Sequence, residues 1–202
     1  MTDLAFIHRF EPGKSSRTLL LLHGTGGNEE ALLDLGRAID PEAALLSPRG
    51  KVLENGAPRF FRRLAEGVFD EEDVVRRAHE LSNFIRAATE AYEIDSSQLV
   101  AVGYSNGANI LSAMLLLGVA TFSSAILFRP MVPLSSLPSE PNLTGVRALL
   151  AAGKFDPIAQ PRIVQELVDL LRRYGATVDL RIGLSGHELT SEDVKSAREW
   201  LA

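Results

Sequence analysis

Apolar runs of strand length alternate with longer segments of helical period along most of this 202-residue chain. Continuous apolar runs are typical of strands buried on both faces of a sheet. We expect six strands, at residues 18–23, 43–47, 98–103, 124–128, 146–152 and 177–182. The last run alternates polar and apolar residues, which favours an edge strand. Strands that alternate with helices predict an α/β architecture, with a mostly parallel sheet covered by helices on both faces.

Three segments between and after these runs carry apolar residues at every third or fourth position, which predicts helices. They span residues 71–92, 162–174 and 191–201. Asp70 is the expected N-cap of the first helix, and Ser191 is the expected N-cap of the last. A further helix is expected from Ala108 onward, since no helix breaker follows it before residue 118. Residues 50–69, 131–144 and 183–187 show no clear period.

Length and composition limit the classes of function. A chain of 202 residues suits one domain, here residues 1–202. The net charge of −5 argues against nucleic-acid partners, and the absence of cysteine removes disulfides and a cysteine nucleophile. The apolar runs are too short for a membrane span, and the first ten residues lack a signal-peptide core. We therefore expect a cytoplasmic protein.

The segment Gly103-Tyr104-Ser105-Asn106-Gly107 matches the G-x-S-x-G nucleophile elbow. An apolar strand is predicted directly before it and a helix directly after it, which is the context that this turn requires. The two glycines relieve crowding where the strand and the helix pass closely. We interpret Ser105 as a catalytic nucleophile. The alternative is a glycine-rich turn that contains a serine with no catalytic role.

An activated serine needs a base and an orienting acid, which in this arrangement follow it in the order acid, then histidine. Only His187 of the four histidines follows Ser105, and it lies in a short glycine-bearing loop. Asp156 comes directly after a buried strand, whereas the other acids in this interval lie in a predicted helix, in a strand or in a detached loop. Ser105, Asp156 and His187 are the expected triad. A surface histidine and an Asp-Pro turn acid are the simpler alternatives.

Acyl transfer also needs hydrogen-bond donors for the oxyanion. The segment His23-Gly-Thr-Gly-Gly-Asn28 follows the first long apolar strand, so the backbone N–H groups of Thr25 and Asn106 are the expected donors. A dinucleotide-binding loop would need a third glycine where Glu29 stands. We interpret His23 as structural, and no spacing of ligands supports a metal site.

These motifs, HGTGGNE, GYSNGA, GKFDP and GHELT in this order, resemble those of the α/β-hydrolase fold. More narrowly, the chain is similar to the phospholipase/carboxylesterase family, which includes acyl-protein thioesterases. The resemblance covers about residues 17–202 and implies hydrolysis of esters or thioesters through an acyl-enzyme. It also implies no metal or organic cofactor. One departure is Asn106, where family members commonly carry glutamine.

Two irregular segments are expected to border an apolar pocket at the carboxyl edge of the sheet. Phe60, Phe61 and Phe69 lie in one of them, and Arg129 and Met131 lie in the other. Arginines around these residues, at positions 59, 62 and 63, would form a basic rim. The alternative is that the phenylalanines are ordinary core residues. Little chain remains for a large cap domain.

We therefore predict a serine carboxylesterase that hydrolyses small or medium carboxylic esters. The alternatives are an acyl thioesterase or lysophospholipase of the same family, or a non-catalytic binding protein with the hydrolase fold. The expected partner is a small-molecule ester substrate, and the sequence leaves a homodimer open.

Overall fold

The computed structural model describes residues 4–202, which contain eleven strands and five α-helices. The strands are β1 (His8–Glu11), β2 (Thr18–Leu22), β3 (Ala44–Pro48), β4 (Val52–Glu54), β5 (Ala57–Arg59), β6 (Arg63–Ala65), β7 (Val68–Phe69), β8 (Leu99–Tyr104), β9 (Ser124–Phe128), β10 (Arg147–Gly153) and β11 (Thr177–Gly183). The helices are α1 (Leu33–Ile39), α2 (Glu71–Ala91), α3 (Asn106–Leu116), α4 (Pro161–Arg173) and α5 (Ser191–Leu201).

Seven strands form one sheet in the order β1-β3-β2-β8-β9-β10-β11. Only β1 runs antiparallel to its neighbour, and the other pairs are parallel. The predicted, mostly parallel sheet is therefore confirmed. Strand β11 lies at one edge, as its alternating pattern predicted. Strand β1 at the other edge was not predicted, because its four residues are mostly polar and only partly buried.

Helices cover both faces of the sheet, which explains why its central strands are continuously apolar. Along β2, Leu20 and Leu22 belong to the core on one face, whereas Leu19 and Leu21 belong to the core on the other. Helices α2, α3 and α4 pack on the first face, and α1 and α5 pack on the second. A strand buried on both sides has no exposed face on which polar residues would alternate.

Helix α1 and two hairpins were not predicted from the sequence. Helix α1 is seven residues long and contains Gly36, a residue that lowers helix propensity. A Cβ at this glycine would lie 2.9 Å from the side chains of Leu21 and Leu45, so the glycine allows the helix to pack closely on the sheet. The hairpins β4–β5 and β6–β7 occupy the irregular segment 50–69, where strands of two or three residues show no period.

The N-caps of two helices can be compared with the predictions. Asp70 caps α2, as predicted, by accepting a hydrogen bond from the N–H of Asp73. The cap of α5 is Thr190 rather than Ser191, so that prediction is wrong by one residue. Thr190 and Asp193 form a reciprocal capping box, and this second interaction favours the threonine.

The strand order reverses beside β2, which has β3 on one side and β8 on the other. In open α/β sheets, ligands bind at such a point, beyond the carboxyl ends of the strands. The segments that follow β2, β8, β10 and β11 are those in which the sequence predicts the functional residues. None of the helices in residues 4–202 is long and apolar enough to cross a bilayer.

Candidate active site

Ser105 lies on a strained turn between β8 and α3. Its φ of 52° and ψ of −112° fall in a region that residues other than glycine rarely adopt. Its N–H donates to the carbonyl of Phe128 at 2.9 Å, which ties the turn to the next strand. A Cβ at Gly107 would lie 2.0 Å from the carbonyl oxygen of Leu22, and one at Gly103 would lie 2.7 Å from Gly107. Both glycines are therefore required by close backbone contacts.

Three side chains from separate loops form one chain of hydrogen bonds. Ser105 Oγ lies 2.9 Å from Nε2 of His187, and Nδ1 of His187 lies 2.7 Å from Oδ2 of Asp156. Because a carboxylate can only accept, His187 donates through Nδ1 and accepts the serine hydroxyl proton at Nε2. The Asp156 side chain is fully buried, and that of His187 is 22% exposed. The structure thus brings together the three residues that the sequence singled out.

The Asp156 carboxylate is held in place by the backbone. Its Oδ1 accepts hydrogen bonds from the N–H groups of Ile158 and Ala159 at 2.8 and 2.9 Å, leaving Oδ2 for the histidine. A Cβ at Gly153 would lie 2.0 Å from the carbonyl oxygen of Gly186, so the end of β10 contacts the histidine loop directly. The acid and the base are therefore fixed by two loops that touch.

Arg129 is buried against the loop that carries His187, residues 185–188, and holds that loop by hydrogen bonds. This position contradicts its predicted place at the border of the pocket. It is 1% exposed and donates six hydrogen bonds. The acceptors are Ser185 Oγ, the carbonyl oxygens of Ala151, Gly186 and Glu188, and both carboxylate oxygens of Asp193. The prediction that Arg129 borders the pocket is wrong, because its guanidinium binds the buried carboxylate of Asp193 and the carbonyl groups of the loop instead.

Tyr104, which was not among the predicted site residues, is a third residue that contacts His187, after Ser105 and Asp156. Its hydroxyl donates to the carbonyl of His187 at 3.0 Å, and the two rings lie 5.6 Å apart. Burial raises the pKa of the Tyr104 hydroxyl, which favours the protonated form that donates this bond. The one signal in the sequence was its place next to Ser105 in the elbow motif.

Thr25 and Asn106 line the same pocket as Ser105. Among the turn, cap and side-chain hydrogen bonds of residues 4–202, none uses the N–H of Thr25 or Asn106 as donor. Their side chains, by contrast, are both engaged by the end of the β4–β5 hairpin. Thr25 Oγ1 accepts from Nη1 of Arg59 at 2.6 Å, and Asn106 Oδ1 accepts from the N–H of Phe60 at 2.7 Å.

His23 is buried and bonds only backbone groups, which agrees with the structural role expected from the sequence. Its Nδ1 donates to the carbonyl of Gly24 at 2.6 Å, and its Nε2 accepts from the N–H of Gly50 at 3.0 Å. Burial lowers the pKa of the His23 imidazole, so the neutral ring that this pattern requires is favoured. The ring connects the loop after β2 to the segment after β3.

A pocket of about 210 Å³ opens in front of Ser105. Phe69, Met131 and Ile158 give it apolar walls, and Arg59 and Arg63 give it a basic side. Within residues 4–202, no group of three histidine or acidic side chains is arranged to hold a metal ion. The site therefore combines a small apolar wall with polar groups that converge on one hydroxyl.

Two of the predicted pocket residues lie elsewhere. Phe60 and Phe61 are 3% and 0% exposed and belong to the core, so their predicted place at the pocket is wrong. The ring of Phe61 packs at 5.1 Å against that of Phe69, which does line the pocket. The two residues lie between the hairpins β4–β5 and β6–β7, and their large apolar side chains are buried in the core, as is usual for phenylalanine.

The parallel sheet with a strained serine turn between a central strand and a buried helix defines the α/β-hydrolase class. The sequence model of the Phospholipase/Carboxylesterase family matches residues 10–202, and the chain belongs to that family. It is 48% identical over 193 residues to MhqD of Bacillus subtilis (strain 168), covering 96% of each chain.

Solved structures agree with this assignment. The chain is similar to a Bacillus cereus carboxylesterase at 46% identity and a TM-score of 0.93, covering 98% of this chain and 94% of the other. It is similar to a Mesorhizobium loti carboxylesterase at 36% identity and a TM-score of 0.94, covering 100% and 96% of the two chains. The chain is therefore a hydrolase of a family with solved carboxylesterases.

Proposed function

We propose that this protein is a serine carboxylesterase that hydrolyses small or medium carboxylic esters through an acyl-enzyme. The observation that supports the proposal most strongly is the hydrogen-bond chain from Ser105 through His187 to Asp156, at 2.9 and 2.7 Å. A serine hydroxyl is a weak nucleophile unless a neighbouring base takes its proton. In this chain the base is hydrogen-bonded to the hydroxyl before any substrate arrives.

In the acylation half, Ser105 Oγ attacks the ester carbonyl carbon while Nε2 of His187 takes the hydroxyl proton. Asp156 stabilises the resulting imidazolium through its hydrogen bond to Nδ1. The tetrahedral intermediate collapses, the bond from carbon to the alkoxy oxygen breaks, and His187 returns its proton to the departing alcohol. The acyl group is then joined to Ser105 by an ester bond.

In the deacylation half, a water molecule replaces the alcohol. His187 Nε2 takes a proton from the water as its oxygen attacks the acyl carbon, and the second tetrahedral intermediate forms. Its collapse breaks the bond to Ser105 Oγ, which regains the proton from His187. The carboxylic acid leaves, and the enzyme returns to its starting state.

The oxyanion of both intermediates would be bound by the N–H groups of Thr25 and Asn106. Asn106 is the first residue of α3, so its N–H also lies at the positive end of the helix dipole. One oxyanion donor contributes about 3 kcal/mol to transition-state stabilisation. The hydrogen bonds from Arg59 and Phe60 to the two side chains support this role, because they hold both residues in place.

The pocket volume of about 210 Å³ favours short or medium acyl groups, since typical ligand pockets are roughly 300–1,000 Å³. Hydrolysis of nitrophenyl esters from acetyl to palmitoyl tests this part of the proposal. We expect kcat/KM to be highest for short or medium chains, whereas a palmitoyl optimum would contradict it. A parallel series of thioesters distinguishes an oxygen esterase from an acyl thioesterase.

Labelling with a fluorophosphonate tests the nucleophile. We expect the wild-type protein to be labelled at neutral pH and Ser105→Ala to resist labelling, with a loss of at least about 10⁴-fold in kcat. Ser112→Ala is a matched control in the helix that follows Ser105, because Ser112 is buried and its hydroxyl bonds only the carbonyl of Ala108. Ser112→Ala should be labelled normally. Wild-type protein that neither reacts nor hydrolyses any ester would favour the non-catalytic binding protein.

A further inference from the structure

Two arginines line one side of the pocket that contains Ser105. Arg59, at the end of β5, is only 2% exposed, and the side chain of Arg63, at the start of β6, is 31% exposed. Arg59 belongs to the hairpin β4–β5 and Arg63 to the hairpin β6–β7, so neither lies in the seven-stranded sheet. A cation that is buried in a pocket is normally paired with an anion of the protein or of a ligand.

The protein supplies one carboxylate for these two cations. Glu54 lies 3.2 Å from Nη1 of Arg59 and 2.9 Å from Nε of Arg63, and it is the sole carboxylate among residues 4–202 that pairs with either. The side-chain hydrogen bonds of Arg59 both go to neutral oxygens, those of Thr25 and Phe61. Two positive charges and one negative charge leave an excess of one positive charge beside the pocket.

Several donors of the two guanidinium groups also remain unused. Within the described chain, neither amino nitrogen of Arg63 donates a hydrogen bond, and Nη2 of Arg59 donates none. Burial lowers the pKa of the Arg59 guanidinium, the Arg63 charge lowers it further, and Glu54 opposes the change only in part. The arginine pair therefore has both the charge and the free N–H groups to accept an additional anion.

We propose that this pocket selects esters that carry a carboxylate in addition to the ester group, and that Arg63 and the free side of Arg59 bind that carboxylate. The inference rests on the proposed esterase function. The guanidinium fork matches a carboxylate in a planar arrangement with two hydrogen bonds, which a neutral group of the same shape does not form. In a pocket of about 210 Å³, a substrate whose carbonyl reaches Ser105 keeps its other groups near the arginines.

Matched substrate pairs test the proposal, because the carboxylate could belong to the alcohol or to the acyl part. The alcohol pair is 4-acetoxybenzoate and 4-acetoxybenzamide, and the acyl pair is the nitrophenyl monoesters of adipic acid and of adipamic acid. In each pair the carboxylate is replaced by a neutral amide of nearly the same shape. We expect kcat/KM for the carboxylate to exceed that for the amide by at least about tenfold in one pair.

Two variants, each of which removes one positive charge, test whether Arg63 is responsible for the preference for the carboxylate. Arg63→Gln is expected to lower the carboxylate-to-amide ratio at least about threefold. Arg62→Gln is the control, since Arg62 is 64% exposed, pairs with Asp70 and does not line the pocket. Its ratio should equal that of the wild type. Arg59 is not used for this test, because it also holds Thr25.

The outcomes separate this inference from the function on which it rests. If the two amide-bearing esters are hydrolysed at their ester bonds, and the carboxylate-to-amide ratio of kcat/KM is near one in both pairs, the anion selection is overturned and the esterase proposal stands. A ratio that Arg63→Gln leaves unchanged would also overturn it. No hydrolysis of any of the four esters would remove both proposals.

Discussion

Two arginines near the candidate active site are almost completely buried, but their surroundings differ. Arg129, below the histidine loop, donates six hydrogen bonds, two of which reach a carboxylate of its own, that of Asp193. Arg59, beside the pocket, donates to two neutral oxygens and shares Glu54 with Arg63. One charge is balanced and enclosed, whereas the other is only partly balanced and faces a cavity.

The difference separates two uses of a buried cation. A guanidinium with all its partners inside the protein contributes to a fixed geometry, here that of the loop that carries His187. A guanidinium with too few partners costs desolvation energy unless a ligand completes its surroundings. Surface-exposed ion pairs of this protein, such as Arg9 with Glu30, inform neither case, because solvent screens them.

The largest expected effect is that of Arg129→Met. This change leaves the carboxylate of Asp193 buried without its cation, so we expect the free energy of unfolding to fall by about 3–5 kcal/mol. Ester hydrolysis should fall as well, because the loop that carries His187 loses three of its hydrogen bonds. Urea denaturation followed by circular dichroism measures the stability.

Arg162→Met is the control for this experiment. Arg162 is 75% exposed and pairs with Glu166 along one helix, so its removal should leave the unfolding free energy essentially unchanged. If Arg129→Met lowered the free energy of unfolding by less than about 1 kcal/mol, Arg129 would not differ from Arg59 in the way described above.

The decrease of the free energy of unfolding at acid pH is a second test of the ion pair between Arg129 and Asp193. Burial raises the pKa of Asp193, but hydrogen bonds from Arg129 and Thr190 outweigh it, so that the pKa lies below its ordinary value. A carboxyl with a lowered pKa stabilises the fold above its unfolded pKa of about 3.9 and loses this contribution as the pH falls further. Urea denaturation between about pH 6 and pH 3 should show a steeper loss for the wild type than for Asp193→Asn. If the free energies of unfolding of the two proteins fell in parallel with pH, Asp193 would not contribute to the acid sensitivity of the fold.

Arg59→Met should destabilise the protein less than Arg129→Met does. The change removes hydrogen bonds to Thr25 and Phe61, but Glu54 keeps Arg63 as its partner. We expect the free energy of unfolding to fall by about 1–2 kcal/mol, as for the loss of buried hydrogen bonds. Denaturation of both variants side by side measures this ranking. A loss equal to that of Arg129→Met would show that Arg59 is as fully balanced as its counterpart.

The sequence predicted the sheet because its strands are long and buried on both faces, so their apolar runs are unambiguous. It singled out Ser105 by the elbow motif, and Asp156 and His187 by the order in which acid and histidine follow the serine in this arrangement and by their places after strands. Local patterns of this kind can be seen without coordinates. The same reasoning gave Thr25 and Asn106, which the structure places at the same pocket.

What the sequence did not predict depends on contacts between distant segments. Arg129 looked like a rim residue because nothing nearby in the chain shows that Asp193, 64 residues later, is buried beside it. Phe60 and Phe61 lie in a segment without periodicity, so their direction was undetermined until the hairpins were known. The shared use of Glu54 by two arginines is likewise visible only in three dimensions.

The smallest expected effect concerns Thr190, the N-cap residue that precedes α5 and lies beside the ion pair of Arg129 and Asp193. The hydroxyl of Thr190 donates to Oδ2 of Asp193 at 2.8 Å and accepts from the N–H of the same residue, so it completes both the helix cap and the surroundings of Arg129. We expect Thr190→Ala to lower the free energy of unfolding by about 1 kcal/mol, measured by urea denaturation. Ser191→Ala is the matched control, because Ser191 is exposed and lies inside the helix, and it should change little. Equal losses for the two variants would mean that the hydroxyl of Thr190 adds nothing to the enclosed pair.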